Sequence, residues 1–179
     1  MWPWQKESNM AKSEYLECGY IHNTHGCHGW IKVESYCDSP AVLAKLKHVY
    51  RREGGTYVPY AVLETGRKQD AVLMHLEGID DMNVAEGLKG QLLYAKREDI
   101  PLEEGGYFLV DLPGLAVIDA DSGREYGRVK EISFAGGREM LVVTTPAGER
   151  LLPMVPAFLD RVDVESGVFV RPIPGLLED

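Results

Sequence analysis

The sequence predicts an all-β fold made of two small β-barrels with a few short helices. Short apolar segments, many of them alternating with polar residues, are separated by turns drawn from 19 glycines and 10 prolines. No helical pattern is long enough to connect parallel strands, so antiparallel sheets are expected. A charged stretch with Pro101 and a glycine pair, residues 99–106, is the predicted linker between domains 14–98 and 107–177. Each domain has roughly 80 residues, near the lower limit for independent folding.

The first domain is predicted to contain six strands and two short helices. The strands are expected at residues 15–23, 29–36, 48–52, 57–64, 71–77 and 91–97. Asp38-Ser39-Pro40 is typical of a helix start, which predicts a helix through residue 46. Asp80 or Asp81 caps a second helix over residues 82–88, which ends before Gly90. This pattern favours a small closed barrel with helical plugs.

The second domain repeats the strand-and-turn pattern. Strands are predicted at residues 107–110, 116–120, 125–134, 140–144, 150–153 and 168–172, with a short helix at 156–161. The turns between them include Gly136-Gly137, which is favourable hairpin chemistry because glycine adopts positive φ without strain.

Composition indicates an ordinary globular protein with an uneven charge. Hydrophobic residues make up 45% of the chain and charged residues 26%. No apolar run reaches the roughly 18 residues of a membrane helix, and the N-terminus lacks a signal core, so a cytoplasmic protein is expected. Residues 1–98 carry a net charge of −1, with 12 basic and 13 acidic residues. Residues 99–179 carry −8, with 7 basic and 15 acidic residues. The acidic half favours a basic protein partner over nucleic acid.

One turn of the first domain contains a cluster of potential metal ligands. His22, His25, Cys27 and His28 crowd the turn between the first two strands. A small metal-dependent enzyme that uses His22, His25 and Cys27 is left open as an alternative function. No second ligand pair accompanies them, so we expect no metal. The three cysteines are predicted to be free thiols. The chain has no nucleophile elbow, phosphate loop or dinucleotide fingerprint, so we expect no catalytic residues and no cofactor.

Other residues favour binding. Tyr107 and Phe108 follow the linker, and adjacent residues on a strand point to opposite faces. One ring is therefore expected in the core, and the other is expected to be exposed, packed on the first domain or held for a partner. The pairs Arg51-Arg52 and Arg67-Lys68 flank hairpins of the first domain, where convergence on one rim would form an RNA-contact patch.

Four ordered segments resemble the RimM family of bacterial ribosome maturation factors. They are Gly19-Tyr20-Ile21 through Thr24-His25-Gly26-Cys27-His28-Gly29-Trp30-Ile31-Lys32-Val33; Asp80-Asp81 through Ala85-Glu86-Gly87-Leu88-Lys89-Gly90; Tyr107-Phe108 through Asp111-Leu112-Pro113-Gly114; and Leu151-Leu152-Pro153 with the terminal Pro174-Gly175-Leu176-Leu177. The family commonly has two tyrosines where this chain has Tyr107 and Phe108. Cys27 and His28 occupy positions that the family pattern leaves variable.

The resemblance implies a translation-factor-like N-terminal barrel and a C-terminal PRC barrel without enzymatic activity. It further implies binding to the head of the immature small ribosomal subunit through small-subunit ribosomal protein nineteen, with assistance to rRNA processing and head assembly. The expected partner-binding residues are Tyr107, Phe108, Asp111, Leu112 and Gly114. The expected contacts with rRNA or the subunit are His25, Gly26, Gly29, Arg51, Arg52, Arg67 and Lys68. A monomer is expected, and a PRC-type adaptor unrelated to ribosomes is the other alternative.

Overall fold

The computed structural model describes residues 13–178. The sequence predicts a loose extension over residues 1–13, and residues 1–12 of it lie outside the described range. The described chain forms two compact units, residues 13–101 and residues 102–178. Within the described range, none of the helices has the length and apolar character needed to cross a membrane.

The first unit is a closed six-stranded barrel. Its strands are β1 (Tyr15–His25), β2 (Trp30–Ser35), β3 (His48–Glu53), β4 (Thr56–Lys68), β5 (Ala71–Leu76) and β6 (Leu92–Lys96). They are ordered β1-β2-β5-β4-β3-β6 around the barrel, and every neighbouring pair is antiparallel. The predicted closed barrel is therefore confirmed.

Two short helices complete this unit, α1 (Pro40–Ala44) and α2 (Met82–Glu86). Proline occupies the first turn of α1, where its missing N–H costs no hydrogen bond. A carboxylate oxygen of Asp81 accepts a hydrogen bond from the Val84 N–H at 3.0 Å, which caps α2. Alternating strand residues and the buried side chains Leu43, Ala85 and Leu88 from the helical segments together form the barrel core.

The seam between β3 and β6 is unusual because a single residue pair, Tyr50 with Tyr94, connects the two strands in the ladder. Side chains reinforce it. The rings of Tyr15 and Tyr57 stack with their centres 4.0 Å apart. Tyr15 also packs edge-on against Tyr50 at 5.0 Å, and Tyr57 packs edge-on against Tyr94 at 5.1 Å. These four residues, here called the tyrosine cluster, join β1, β3, β4 and β6 where backbone pairing is weakest.

The second unit is a six-stranded sheet around its own core. Its strands are β7 (Ala116–Asp119), β8 (Glu125–Ala135), β9 (Arg138–Thr145), β10 (Gly148–Pro153), β11 (Leu159–Asp163) and β12 (Gly167–Val170). The order is β10-β9-β8-β7-β12-β11. Its core contains Leu112, Val117, Val129, Leu141, Val143, Leu152, Val168, Val170 and Leu177.

The prediction that all strand pairs are antiparallel is wrong at one position. β7 and β12 are parallel, with Val168 opposite Val117. A parallel pair needs a long connection, and here the strands β8 to β11 provide it without a helix. The sequence contains no helical pattern long enough for such a connection, so it does not predict this pair.

Two predicted elements of the second unit also differ. Residues 107–110 were predicted as a strand, but Leu109–Asp111 forms a 3-10 helix, with N–H groups of Asp111 and Leu112 bonded three residues back. Residues 156–161 were predicted as a helix, but only a turn precedes β11 there. Pairing of β11 with β12 prevails over the local helical preference.

Candidate partner-binding surfaces

The aromatic pair is held at the start of the second unit by the 3-10 helix that follows it. Tyr107 and Leu109 pack against the second core, whereas Phe108 is half-buried outside that cluster and Val110 is 66% exposed. The carbonyl of Phe108 accepts the Asp111 N–H at 3.0 Å, which fixes Phe108 relative to the turn. One ring thus supports the core, and the other lies beside exposed apolar surface.

Two residues of the same segment have structural roles. Leu112 is completely buried, so its side chain anchors the segment from beneath. Gly114 has φ of +91°, a conformation that favours glycine. Its N–H bonds the Val129 carbonyl at 2.7 Å, and its carbonyl accepts the Arg128 guanidinium at 3.0 Å. We call Tyr107 to Gly114 the docking segment.

The second unit has excess negative charge. Residues 102–178 contain 13 Asp and Glu against 7 Lys and Arg, a net of −6. Several of the cations are already engaged with carboxylates. The pairs are Arg124 with Glu178, Arg128 with Glu125, Lys130 with Glu149, and Arg171 with Asp121 and Asp160. Residues 102–178 therefore carry an excess of negative charge that their internal ion pairs do not neutralise.

Asp119 organises the turn between β7 and β8. One carboxylate oxygen accepts the backbone N–H groups of Ser122 at 2.7 Å and Asp121 at 3.0 Å, and the other accepts the Tyr126 hydroxyl at 2.8 Å. These hydrogen bonds, that of Ser122 foremost, lower the pKa of Asp119 to about 2. Burial and the bond to Asp119 raise the pKa of Tyr126 to about 12. The turn is thus an anionic and internally hydrogen-bonded part of the second unit.

In the first unit, the turn between β1 and β2 is fixed on one side and exposed on the other. A Cβ atom on Gly29 would lie 2.0 Å from the Ile79 carbonyl oxygen, so glycine is required by close backbone approach. Thr24 donates a hydrogen bond to Glu86 at 3.0 Å, which ties the turn to α2. Gly26 is exposed with nothing near a Cβ position, and His25 is half-buried.

The basic residues predicted to contact RNA do not converge. Antiparallel order places the β1–β2 and β3–β4 turns at one end of the barrel and the β4–β5 turn at the other. Arg51 and Arg52 therefore lie at the end that carries the β1–β2 turn, while Arg67 and Lys68 lie at the opposite end of β4. Ten residues separate Tyr57 from Arg67, a span of the order of 30 Å along the strand.

Arg51 and Arg52 also differ from each other. Arg51 is 18% exposed, and its guanidinium bonds Gln91 at 2.8 Å, Tyr60 at 3.0 Å and Glu53 at 3.2 Å. Arg52 is exposed and lies 6.0 Å from the ring centre of Tyr57. Of the two, Arg52 has the side chain available to a partner.

The histidine turn does not assemble a ligand set. Across residues 13–178, no group of three His, Cys, Asp or Glu side chains is close enough to hold a metal ion. Cys18 and Cys37, like Cys27, are free thiols, and burial raises the pKa of the Cys18 thiol.

Sequence reasoning missed two features of the barrel surface. Trp30 stacks on His75 at 5.6 Å across β2 and β5, which adds an aromatic element beside the β1–β2 turn. The tyrosine cluster was also missed. Alternation along each strand predicts which residues face outward, but cross-strand neighbours require the register.

These two units define an all-β protein that consists of a closed six-stranded barrel and a second six-stranded sheet. Residues 16–100 match the model of the RimM N-terminal domain, and residues 109–175 match that of the RimM PRC barrel domain. A relative from Symbiobacterium thermophilum, named ribosome maturation factor RimM, is 35% identical over 96% of this chain and 99% of its own length. A second of that name, from Oleidesulfovibrio alaskensis, is 33% identical over 92% of this chain and 96% of its own.

The chain belongs to the RimM family. The two sheets, with two domain models in the same order, confirm the predicted all-β class. A solved structure of RimM from Pseudomonas aeruginosa is also similar, at 24% identity over 89% of this chain and 98% of that chain, with a TM-score of 0.45.

Proposed function

We propose that this protein is a non-enzymatic ribosome maturation factor that acts in the cytoplasm as a monomer. It binds the head of the immature small ribosomal subunit through small-subunit ribosomal protein nineteen, and it assists rRNA processing and head assembly. The name shared by the curated relatives supports a role in ribosome maturation.

The observation that carries the proposal is the docking segment on an acidic unit. Phe108 and Val110 offer apolar contact next to a hydrogen-bonded turn, while the net charge of −6 on residues 102–178 attracts a basic ribosomal protein. Aromatic anchors dominate the binding energy of protein interfaces, and charge complementarity increases the association rate. Tyr107, Leu112 and Gly114 hold the segment in shape, and Asp111 lies within it.

A second contact with the subunit is assigned to the end of the first barrel that carries the β1–β2 turn. His25 and Gly26 with Arg52 would meet rRNA or a neighbouring subunit surface, with Gly29 keeping the turn in position. Arg51 supports this end through its internal hydrogen bonds, whereas Arg67 and Lys68 could serve only a contact at the opposite end.

Assistance to assembly follows from differential binding. A factor that binds an immature head more tightly than a finished head shifts the population of head conformations toward the one that it recognises. Release then follows when the mature head no longer offers that surface. No chemical step is needed, which agrees with a binding function.

Co-sedimentation tests the proposal. We expect the purified protein to sediment with immature small subunits, and to do so less with mature subunits and complete ribosomes. Absence of binding to every particle at low as well as moderate salt would reject the ribosomal function. A signal lost only at moderate salt would indicate nonspecific electrostatic binding.

The docking segment is tested by a double variant, Tyr107→Ala with Phe108→Ala. Removal of two anchoring rings is expected to weaken binding to immature subunits about 30-fold or more. Tyr107 packs on the core, so its replacement can unfold the second unit. The single variant Phe108→Ala avoids this, because Phe108 lies outside the core cluster. Tyr36→Ala, at a tyrosine of the first unit that is 48% exposed, is the matched control. Wild-type binding by a folded double variant would show that the docking site is wrong.

A further inference from the structure

The sheet of the second unit has an open edge in the middle of its strand order. On the side facing β7, the last hydrogen bonds of β8 are made by Val129, whose N–H bonds the Leu115 carbonyl at 2.9 Å and whose carbonyl accepts the Gly114 N–H at 2.7 Å. The strand continues for six more residues to Ala135. No described residue pairs with that continuation on the β7 side. We call residues 130–135 the open edge.

The hairpin register shows which backbone groups point to the open edge. Gly136 and Gly137 both have positive φ and form a two-residue loop, so Ala135 and Arg138 close it as a hydrogen-bonded pair. Because hydrogen-bonded and non-hydrogen-bonded pairs alternate, the N–H and C=O groups of Phe134 and Ile132 point away from β9. The far side of β9 is consistent with this alternation, since the Glu139 carbonyl accepts the Met154 N–H at 3.0 Å.

The same edge carries an uncovered aromatic ring. Phe134 is 72% exposed, the highest value among the large apolar residues of the described chain. Phe134 lies two residues beyond Ile132 on β8, so the two side chains are on the same face of the sheet. Ile132 packs on the core, whereas Phe134 extends beyond the core. A ring placed there offers an apolar anchor directly next to unpaired backbone groups.

Charge indicates the kind of strand that this edge would accept. Glu131 and Glu139 flank the ring along the two strands, both are exposed, and neither forms an ion pair with any residue in 13–178. Lys130 on the open edge is paired with Glu149, and Arg138 lies at the hairpin tip. The attraction for a basic chain therefore comes from the net charge of −6 on residues 102–178. Two copies of such a unit repel each other, whereas a basic chain is attracted.

We propose that the open edge of β8, with Phe134 as its anchor, binds an extended basic segment of a protein partner by strand addition. This inference rests on the proposed function, which supplies the partner, namely the basic head protein. Strand addition forms main-chain hydrogen bonds that a disordered basic tail can satisfy regardless of most of its sequence, while the ring selects one apolar side chain. The edge is separate in sequence from the docking segment, so the partner would be held at two points.

The outer strands β10 and β11 each pair with a single strand among residues 13–178, so they provide an internal comparison. Leu151 on β10 is 48% exposed and lies opposite Val142 of β9. Leu151→Ala is therefore the matched control for loss of an exposed apolar side chain from this sheet.

Amide hydrogen exchange on the full chain tests the geometry, with purified small-subunit ribosomal protein nineteen as the probe. In the free protein, the amides of Ile132 and Phe134 should exchange much faster than those of Ser133 and Ala135, which bond β9. On binding, the amides of Ile132 and Phe134 should become protected at least about tenfold, while those of Ser133 and Ala135 change little.

Two substitutions at one position separate the ring from the backbone. Phe134→Ala removes the anchor and is expected to raise the Kd about tenfold. Phe134→Pro also removes an N–H that faces the open edge, where proline is tolerated, and is expected to raise the Kd about threefold more. Leu151→Ala should leave the Kd unchanged.

The outcomes distinguish the two proposals. Binding of the probe by wild type without protection at Ile132 and Phe134, or equal effects of the alanine and proline variants, would overturn strand addition and leave the proposed function intact. Failure of wild type to bind the probe and immature subunits would overturn both. Dimerisation of wild type that Phe134→Pro abolishes would assign the edge to a second copy and overturn the basic partner.

Discussion

The tyrosine cluster is expected to carry much of the stability of the β3–β6 seam. Tyr57→Ala removes the stacked pair with Tyr15 and the edge-on pair with Tyr94. Each such pair contributes about 0.5–1.5 kcal/mol beyond its buried area. Loss of the Arg52 contact at 6.0 Å from the ring centre adds about 0.5 kcal/mol. We therefore expect the free energy of unfolding to fall by about 2–3 kcal/mol, a decrease in Tm of about 10 °C or more for a domain of this size.

Residue-resolved hydrogen exchange measures this effect where it arises. The free energy of opening for amides in β3 and β6 should fall by that amount, while amides in β8 and β9 of the other unit serve as the internal reference. A single ladder pair between β3 and β6 means that little backbone pairing compensates for the lost rings.

Two control variants determine whether the rings are the cause. Tyr57→Phe keeps both ring contacts and should cost less than about 0.5 kcal/mol. Leu63→Ala removes a 52% exposed side chain from the same strand and should also have a small effect. If Tyr57→Ala costs no more than Leu63→Ala, the seam is held by something other than the cluster.

Two further predictions concern turns. Gly29→Ala places a Cβ 2.0 Å from the Ile79 carbonyl at φ +81°, so urea unfolding should show a loss of about 3 kcal/mol or more. Gly26→Ala, at φ +68° in open space, should cost only about 1 kcal/mol; equal losses would contradict the close-contact argument. Asp119→Asn should lower the Tm at pH 7. Because the folded pKa of about 2 lies below the ordinary 3.8, the stabilisation is present above pH 4 and is lost as the pH falls toward 2. A difference in Tm that stays constant between pH 7 and pH 2 would contradict this assignment.

The binding surfaces show the same division between what local sequence predicts and what it does not. The aromatic pair is identified from its position after the linker, and Tyr107 packs on the second core although the segment is not a strand. Its strand conformation was predicted wrongly, because hydrogen bonds spanning three residues form a 3-10 helix before Pro113 and Gly114 turn the chain. The basic pairs were identified correctly as residues near hairpins, yet their separation by the length of β4 depends on strand order.

Arg51 illustrates why exposure could not be read from the sequence. Arg51 and Arg52 are adjacent arginines of one strand, so the local sequence does not distinguish them. Alternation places Arg51 on the face where Gln91, Tyr60 and Glu53 bind its guanidinium. Gln91 lies 40 residues away along the chain and reaches Arg51 only because the barrel closes.

By itself, the sequence determined the all-β class, most strand positions, the hairpin turns and the family, because these depend on local periodicity, glycine conformations and the order of short motifs. Tertiary structure alone decided the parallel pairing of β7 with β12, the tyrosine cluster and the open edge of β8. Each of these depends on which distant strands become neighbours and in which register. That choice is made by burial of the whole core, and no short stretch of residues encodes it.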